Sequence, residues 1–229
     1  MPRIPTTPPM IDGLKKRTEN IPYQAIFFDF DGVLVESAEI KTRAFEALYR
    51  GNADDVIKAV VTHHLAHEGI SRVEKIRHCH RAYLNIDLGD DELADLAAQY
   101  SSLVRDSVVA CDGVPGAVDF LENQSGKLPI FVVSGTPEDE LIDIIEMRGM
   151  SRYFTSIHGS PRHKAPIVTD LLESHALSGP DCLFVGDAMT DYRAAADTGL
   201  HFIGRVGQGH VDLFPAGTTI IRDLTELTV

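Results

Sequence analysis

The strongest constraint on this chain is a pair of acidic residues that comes directly after a short apolar run. The run is Ala-Ile-Phe-Phe at residues 25–28, and Asp29 and Asp31 follow it with only Phe30 between them. Such a run is typical of a buried strand in a parallel sheet, where ligands bind at the carboxyl ends of strands. Residues i and i+2 of a strand point the same way, and two carboxylates so close together need a cation or a shared proton. The pair therefore predicts a metal-dependent site at the end of the first strand.

The overall composition fits one large globular domain, or a core domain with a smaller one. Of the 229 residues, 44% are apolar and 24% are charged, which is ordinary for such proteins. The formal net charge is −13, and this argues against DNA, RNA or an anionic membrane as a partner, because those bind basic surfaces. A small anionic substrate remains compatible with this net charge, since a bound cation and a few local lysines can make the electrostatic potential of a cleft positive.

Several features favour a cytoplasmic protein. The cysteines Cys79, Cys111 and Cys182 are odd in number and widely spaced, as is typical of reduced thiols. No apolar stretch approaches the length of a bilayer span. Residues 1–21 lack an apolar signal region and are rich in proline, which favours a flexible N-terminal arm. A homodimer is compatible with the sequence, which does not decide the oligomeric state.

The rest of the chain divides into a helical stretch and an alternating one. Residues 38–110 show apolar residues at helical spacing, with no convincing strand. After residue 111, candidate strands at 129–134, 155–159, 182–186, 201–204 and 219–221 alternate with candidate helices at 115–125, 137–149, 164–177 and 190–198. This pattern predicts an α/β fold with a doubly wound, mostly parallel sheet. We expect a core of residues 22–37 and 111–229, interrupted by an all-α cap at 38–110.

Further polar residues lie at the ends of the predicted strands. Ser134 and Gly135 end one strand, and Thr136 is interpreted as the N-cap of the next helix, with Pro137 at its first position. Free N–H groups at such a helix start can bind an anion. The other residues of this kind are Lys164, at a helix start, and Asp187 and Asp191 after the run Leu183-Phe184-Val185.

These segments together resemble the motifs of the haloacid dehalogenase (HAD) superfamily. The motifs are D-x-D-G, then Ser or Thr, then Lys, then G-D-x-x-x-D, and their order and spacing match from about residue 24 onward. A helical insertion between the first two motifs is similar to the cap of the phosphoglycolate phosphatase and β-phosphoglucomutase branch. The resemblance implies a Rossmann-like core that carries a helical cap.

The resemblance also implies a division of chemical roles. Asp29 would be the nucleophile that forms an aspartyl-phosphate, and Asp31 would protonate the leaving alkoxide and then deprotonate water. Phosphatases and phosphomutases of the superfamily carry Asp at the second position, whereas its dehalogenases, phosphonatases and transport ATPases do not. A phosphate monoester is therefore the expected substrate class.

The remaining motif residues would hold the phosphoryl group and a metal ion. Ser134, the Gly135 N–H group and Lys164 would bind the phosphoryl oxygens. Oxygen ligands and a phosphate favour Mg²⁺, and the expected metal residues are Asp29, Asp31 through its carbonyl, Asp187 and, as a supporting residue, Asp191.

The cap contains candidates for substrate specificity. Gly69-Ile70-Ser71-Arg72 is similar to a G-x-S-R segment of β-phosphoglucomutase-like caps, in which the Arg meets a distal phosphate, so Arg72 and the nearby Lys75 could contact the leaving group. Alternatively, Ser71 only caps a helix and Arg72 is solvated. Lys41 stands where this branch usually has His, and it could contact an anionic substrate or point to solvent.

Three functions therefore follow from the sequence. The favoured one is a Mg²⁺-dependent phosphatase that acts on a small phosphorylated metabolite. A phosphomutase with the same nucleophile is the first alternative, and the Lys at position 41 weighs against it, because in mutases the His at this place assists Asp31. A non-catalytic metabolite-binding protein is the second alternative. A zinc site of His63 and His67 is disfavoured, because no third ligand is evident.

Overall fold

The computed structural model describes residues 23–229, so the predicted N-terminal arm lies outside the described residues. Its sheet has six parallel strands in the order β3-β2-β1-β4-β5-β6. The strands are β1 (Ala25–Phe28), β2 (Ile130–Pro137), β3 (Ser156–Ser160), β4 (Cys182–Gly186), β5 (His201–Arg205) and β6 (Thr219–Ile221). The predicted parallel α/β fold is thus confirmed.

Helices cover both faces of the sheet because the central strands are apolar on both sides. Ile26 and Phe28 of β1 pack in one core cluster, whereas Ala25 and Phe27 pack in the other. The first cluster includes residues of α5 and α6, and the second includes residues of α7 and α8. These helices are α5 (Ala117–Gln124), α6 (Glu138–Met147), α7 (Lys164–Ser174) and α8 (Met189–Thr198).

The insertion between β1 and β2 is helical, as predicted. It contains α1 (Ala38–Leu48), α2 (Asp54–Ala66), α3 (Arg72–Cys79), a π-helical turn (His80–Leu84) and α4 (Asp90–Ala110). The two chain segments that connect it to the sheet lie side by side: Val35 and Gly113 form an antiparallel bridge, and the Glu36 N–H donates to the Asp112 carbonyl at 2.9 Å. We call α1–α4 with their loops the cap, and the rest of the described chain the core. The domain limits predicted from the sequence, with the cap at residues 38–110, stay a prediction.

One predicted local feature is wrong. Strand β2 continues to Pro137, which takes the N-cap position of α6, so Thr136 does not cap that helix. The pairing of β2 with β3 shifts in register between Val133 and Pro137, and this irregularity extends the strand beyond its apolar run. By contrast, Ser71 caps α3 as predicted, since its Oγ accepts a hydrogen bond from the Val73 N–H at 3.3 Å.

No helix within residues 23–229 combines the length and the apolar character that a membrane span requires.

Candidate active site

The candidate active site lies at the carboxyl ends of the three neighbouring strands β2, β1 and β4. Phe28 of β1 pairs with Val132 of β2 on one side and with Val185 of β4 on the other. The residues that follow these positions therefore meet above the middle of the sheet. This brings the predicted motifs together in the way that parallel strands allow.

Asp29 and Lys164 form the buried centre of the site. The Lys164 Nζ lies 2.8 Å from Asp29 Oδ2 and 2.5 Å from Asp191 Oδ1. The Phe30 N–H donates to Asp29 Oδ1 at 2.7 Å. Burial by itself lowers the pKa of Lys164, but the charges and hydrogen bonds of Asp191 and Asp29 outweigh burial and raise it. Lys164 is therefore a fixed cation beside the predicted nucleophile.

Three carboxylates converge beside this centre. Oxygen atoms of Asp29, Asp187 and Asp191 all lie within 4.8 Å of one another. Burial, followed by the charges of Asp29 and Asp191, raises the pKa of Asp187 well above its usual range. Burial is also the main cause that raises the pKa of Asp191 to about 7. A group of oxygen ligands whose charges oppose one another fits a hard divalent cation such as Mg²⁺.

Gly32 allows the first motif to approach this cluster. Its φ is +71°, and a Cβ there would lie 2.0 Å from Asp187 Oδ2. A side chain at this position would therefore be strained and would collide with a predicted metal ligand.

Asp31 faces away from the acidic cluster, although it is only two residues from Asp29. Ser37 Oγ donates to Asp31 Oδ1 at 2.6 Å, and Thr136 Oγ1 donates to Oδ2 at 2.8 Å. Lys41 forms an ion pair with the same Oδ2 and donates to Thr136 Oγ1 at 2.7 Å. Burial raises the pKa of Asp31, but the charge of Lys41 and these hydrogen bonds outweigh burial and lower it. The side chain of Asp31 thus belongs to a separate network, and a metal could be reached only by its carbonyl.

The sequence interpretation missed the role of Thr136 in this network. Ser134 and Thr136 are two residues apart on β2, so both can point toward Asp31, and Ser134 Oγ lies 3.4 Å from Asp31 Oδ2. The i, i+2 spacing was the available signal, but it was outweighed by the expectation of a helix cap.

The cap loop covers the site at Gly69 and Gly135. A Cβ on Gly135 would lie 2.5 Å from the Gly69 carbonyl oxygen, and Gly69 itself has a φ of +77°. A Cβ on Gly69 would lie 1.9 Å from Thr190 Oγ1 in the core. The cap therefore touches the core backbone directly over the predicted phosphoryl-binding residues.

Arg72 is bound by the core and is not solvated. Its side chain is 4% exposed and makes two hydrogen bonds with Glu140 of α6, at 2.6 and 2.7 Å. It also lies over the Tyr100 ring, with its guanidinium carbon 4.8 Å from the ring centroid. The alternative of a solvated first-turn residue is wrong, and the predicted contact of Arg72 with substrate stays a prediction.

Lys41 and Lys75 contribute cations to a cavity between the nucleophile and the cap. Its volume is about 60 Å³, and Asp29 and Asp31 line its floor. Lys75 is buried and contacts His64, as described further below. Neither lysine points to open solvent, and the predicted contacts of both with substrate stay predictions.

Three histidines of the cap stack on one another. The rings of His63 and His67, and of His63 and His78, stack with centroids 4.0 Å apart. Among residues 23–229, only the three aspartates bring ligand atoms from three side chains close enough to share an ion.

Comparisons with known proteins agree with this geometry. Residues 23–199 match the family model of the haloacid dehalogenase-like hydrolases. A 5'-nucleotidase of Pseudomonas aeruginosa is 26% identical over 197 residues, which cover 82% of this chain and 84% of the relative.

Two solved structures show a similar fold. A predicted phosphoglycolate phosphatase from Haemophilus somnus aligns with a TM-score of 0.69 and 20% identity, over 90% of this chain and 97% of the other. A β-phosphoglucomutase from Clostridium difficile aligns with a TM-score of 0.68 and 17% identity, over 90% and 93% of the two chains. With its motifs meeting at one sheet edge under a helical cap, the chain belongs to the haloacid dehalogenase-like hydrolases.

Proposed function

We propose that this protein is a Mg²⁺-dependent phosphatase that hydrolyses a small phosphate monoester through an aspartyl-phosphate on Asp29. The observation that carries the proposal is the separation of the two motif aspartates. Asp29 lies between Lys164 and the other acidic residues, whereas Asp31 is held by hydroxyl groups and Lys41 at the cap side. One site thus offers a nucleophile beside fixed positive charge, and a proton carrier on the side where a leaving group would lie.

The first step would form a bond between an Asp29 carboxylate oxygen and phosphorus. The bond from phosphorus to the ester oxygen breaks, and that oxygen takes a proton from Asp31, so an alcohol leaves. Ser134 and Lys164 would hold the phosphoryl oxygens meanwhile. When bound by Asp29, Asp187 and the Asp31 carbonyl, Mg²⁺ would supply charge neutralisation for the anionic transition state.

The second step would release phosphate. A water molecule loses a proton to Asp31 and attacks phosphorus, and the bond from phosphorus to Asp29 breaks. This restores the Asp29 carboxylate and the protonated Asp31. Most of the catalysis comes from position and charge, as expected for phosphoryl transfer.

The substrate class rests on less direct support. The Pseudomonas relative is named a 5'-nucleotidase, and the two similar structures are named for acting on other phosphate esters. We propose a small phosphorylated metabolite rather than nucleic acid, in agreement with the net charge of −13. A cytoplasmic location remains a prediction.

The test is phosphate release from 4-nitrophenyl phosphate with and without Mg²⁺. Asp29→Asn should abolish release, since an amide cannot act as this nucleophile, and Asp106→Asn on the exposed side of α4 is the matched control. Activity that persists in Asp29→Asn, or that is absent from the wild-type protein, would refute the proposal.

A phosphomutase is the second candidate, because a β-phosphoglucomutase shares the fold. Incubation with a hexose 1-phosphate separates the two. Free phosphate supports the phosphatase, whereas conversion to the 6-phosphate without net release supports the mutase.

A further inference from the structure

Lys75 of α3 is a buried cation without a carboxylate partner. It is 5% exposed, and its Nζ contacts His64 Nδ1 at 3.2 Å and lies 5.6 Å from the centroid of the Phe45 ring. Within residues 23–229, no carboxylate oxygen lies within 4.0 Å of it. Taking an ammonium out of water without a counter-charge is costly.

The other buried cations of the described chain all have such partners. Arg72 pairs with Glu140 at 2.6 Å, and Lys164 pairs with aspartates, as described above. Arg205 lies 2.6 Å from Glu36. Lys75 is therefore the one buried lysine or arginine of the described chain without a carboxylate partner, and it lines the cavity above Asp29.

His64, which lines the same cavity, has a second unpaired donor. It is 4% exposed, and its Nε2 has no hydrogen-bond partner. A charged Lys75 can only donate, so His64 Nδ1 must accept and the ring hydrogen must be on Nε2. The Lys75 ammonium therefore has a neutral acceptor but no carboxylate, and the His64 Nε2–H group has no acceptor. A buried donor without an acceptor is rare unless a ligand or water satisfies it.

We infer that Lys75 and His64 bind a second negatively charged group of the substrate, carried by the leaving alcohol close to the ester oxygen. The inference rests on the proposed phosphatase function. The cavity also contains Asp31, the predicted proton donor to the leaving oxygen, so the leaving alcohol would enter it. At about 60 Å³, the cavity has room beside Lys75 for a short chain that ends in a carboxylate or a second phosphate.

The electrostatics of the cavity support an anion at this place. Burial, followed by the repulsion of Lys41, lowers the pKa of Lys75 to about 7. Glu68 lines the same cavity, and its charge partly offsets this lowering, but it forms no ion pair with Lys75, and burial raises the pKa of its own carboxyl. An incoming anion would supply the charge that Lys75 lacks.

The test compares substrates that differ only in the distal group. 2-Phosphoglycolate carries a carboxylate where ethyl phosphate carries a methyl group, and ethane-1,2-diol bisphosphate carries a second phosphate. We expect kcat/KM for at least one anionic substrate to exceed that for ethyl phosphate by roughly 10- to 100-fold, the scale of a charge-assisted hydrogen bond. The two anionic arms show which group the site takes.

Variants of Lys75 test whether this residue causes the preference for anionic substrates. Lys75→Met should bring the ratio of anionic to neutral kcat/KM close to one, and Lys75→Arg should retain part of it. Arg77→Met removes a charge from the same helix, where Arg77 is 58% exposed, and it should leave the ratio at the wild-type value. If Lys75→Met does not fold, the wild-type ratio and the Lys75→Arg ratio still decide the question.

The outcomes separate this inference from the proposed function. A wild-type protein that hydrolyses 4-nitrophenyl phosphate but prefers ethyl phosphate, or prefers adenosine 5'-phosphate to both anionic esters, overturns the inference alone. A wild-type protein that hydrolyses none of these esters with Mg²⁺ overturns both. A wild-type anionic preference that survives in Lys75→Met also overturns the inference.

Discussion

Arg72 of the cap and Glu140 of the core form a two-pronged ion pair, with N–O distances of 2.6 and 2.7 Å and both side chains largely buried. The pair joins α3 to the helix that follows the second motif. A buried pair is weak evidence for net stability, but the loss of one partner leaves the other as an uncompensated charge. The pair therefore joins the cap to the core through a buried contact.

Arg72→Met should destabilise the protein by about 3–5 kcal/mol, the usual cost of an unpaired buried charge. Urea unfolding measures this, and the double variant with Glu140→Met should recover part of the loss. Arg43→Met, which breaks a pair that is 73% exposed on both sides, should change stability by less than about 1 kcal/mol. Equal effects of the two single variants would contradict the buried-pair argument.

The same pair predicts a pH dependence. Burial raises the pKa of Glu140, but the hydrogen bonds and charge of Arg72 outweigh burial and lower it below its usual range. An acid with a lowered pKa in the folded state stabilises the fold above its unfolded pKa and loses that contribution as pH falls. Unfolding at pH 6 and pH 3.5 should therefore show a larger acid-induced loss of stability in the wild-type protein than in Arg72→Met.

Lys41 should set the protonation of Asp31. Removing the Lys41 charge leaves the burial of Asp31 less opposed, so Lys41→Met should raise the pKa of Asp31. Asp31 must be ionised to accept the proton of water in the second step, so when that step limits kcat the acidic limb of its pH profile should move to higher pH. Lys58→Met, on an exposed position of α2, is the control. An unchanged limb in Lys41→Met would show that Asp31 does not control this step.

The sequence predicted the parts of this site that depend on local order along the chain. Asp29, Asp187 and Ser134 each follow or end an apolar run, and parallel strands must bring such positions to one sheet edge. The helical cap was also predictable, since helical periodicity is a local signal.

Partners that meet only in the tertiary structure were not predictable. Glu140 lies 68 positions from Arg72 along the chain, and no sequence motif links the two residues. The sequence therefore contains no sign that the core neutralises the Arg72 guanidinium, which is interpreted from the sequence alone as substrate-binding or solvated. Thr136 was misjudged because its hydroxyl suited a helix start, whereas the irregular pairing of β2 extends the strand through it.

Gly135 should be needed for cap closure. A Cβ there would lie 2.5 Å from the Gly69 carbonyl oxygen, so Gly135→Ala should hold the cap loop off the core. We expect kcat/KM to fall by roughly tenfold or more, since small misplacements in an active site are costly, with little change in the melting temperature. Gly89→Ala, whose Cβ would meet only Glu92 Oε2 at 3.6 Å, should retain activity. Full activity in Gly135→Ala would show that closure tolerates a methyl group.

Divalent ions should stabilise the protein through the aspartate cluster. Burial and neighbouring acids raise the pKa of Asp187, and a raised acid pKa means that stability without metal falls as pH rises. Mg²⁺ should therefore increase the melting temperature more at pH 8 than at pH 5. Asp187→Asn should remove most of this response, and Asp106→Asn should retain it. A Mg²⁺ response that is independent of Asp187 would place the ion elsewhere.

Lys75 should lower stability in the absence of ligand, because its charge is buried without a counter-ion. Its pKa is lowered to about 7, whereas a lysine in the unfolded chain has a pKa of about 10.5. Between these values the unfolded chain binds the proton and the folded protein does not. The penalty is therefore absent above pH 10.5, grows as pH falls, and is complete below pH 7. Lys75→Met, which keeps the chain length without the charge, should be the more stable protein by on the order of 1–3 kcal/mol at pH 7, with a smaller gain at pH 9.5. Urea unfolding at the two pH values measures both gains, with Lys58→Met as the exposed control. A variant that is less stable than the wild type at pH 7, or whose gain does not depend on pH, would mean that Lys75 already has its counter-charge within the protein.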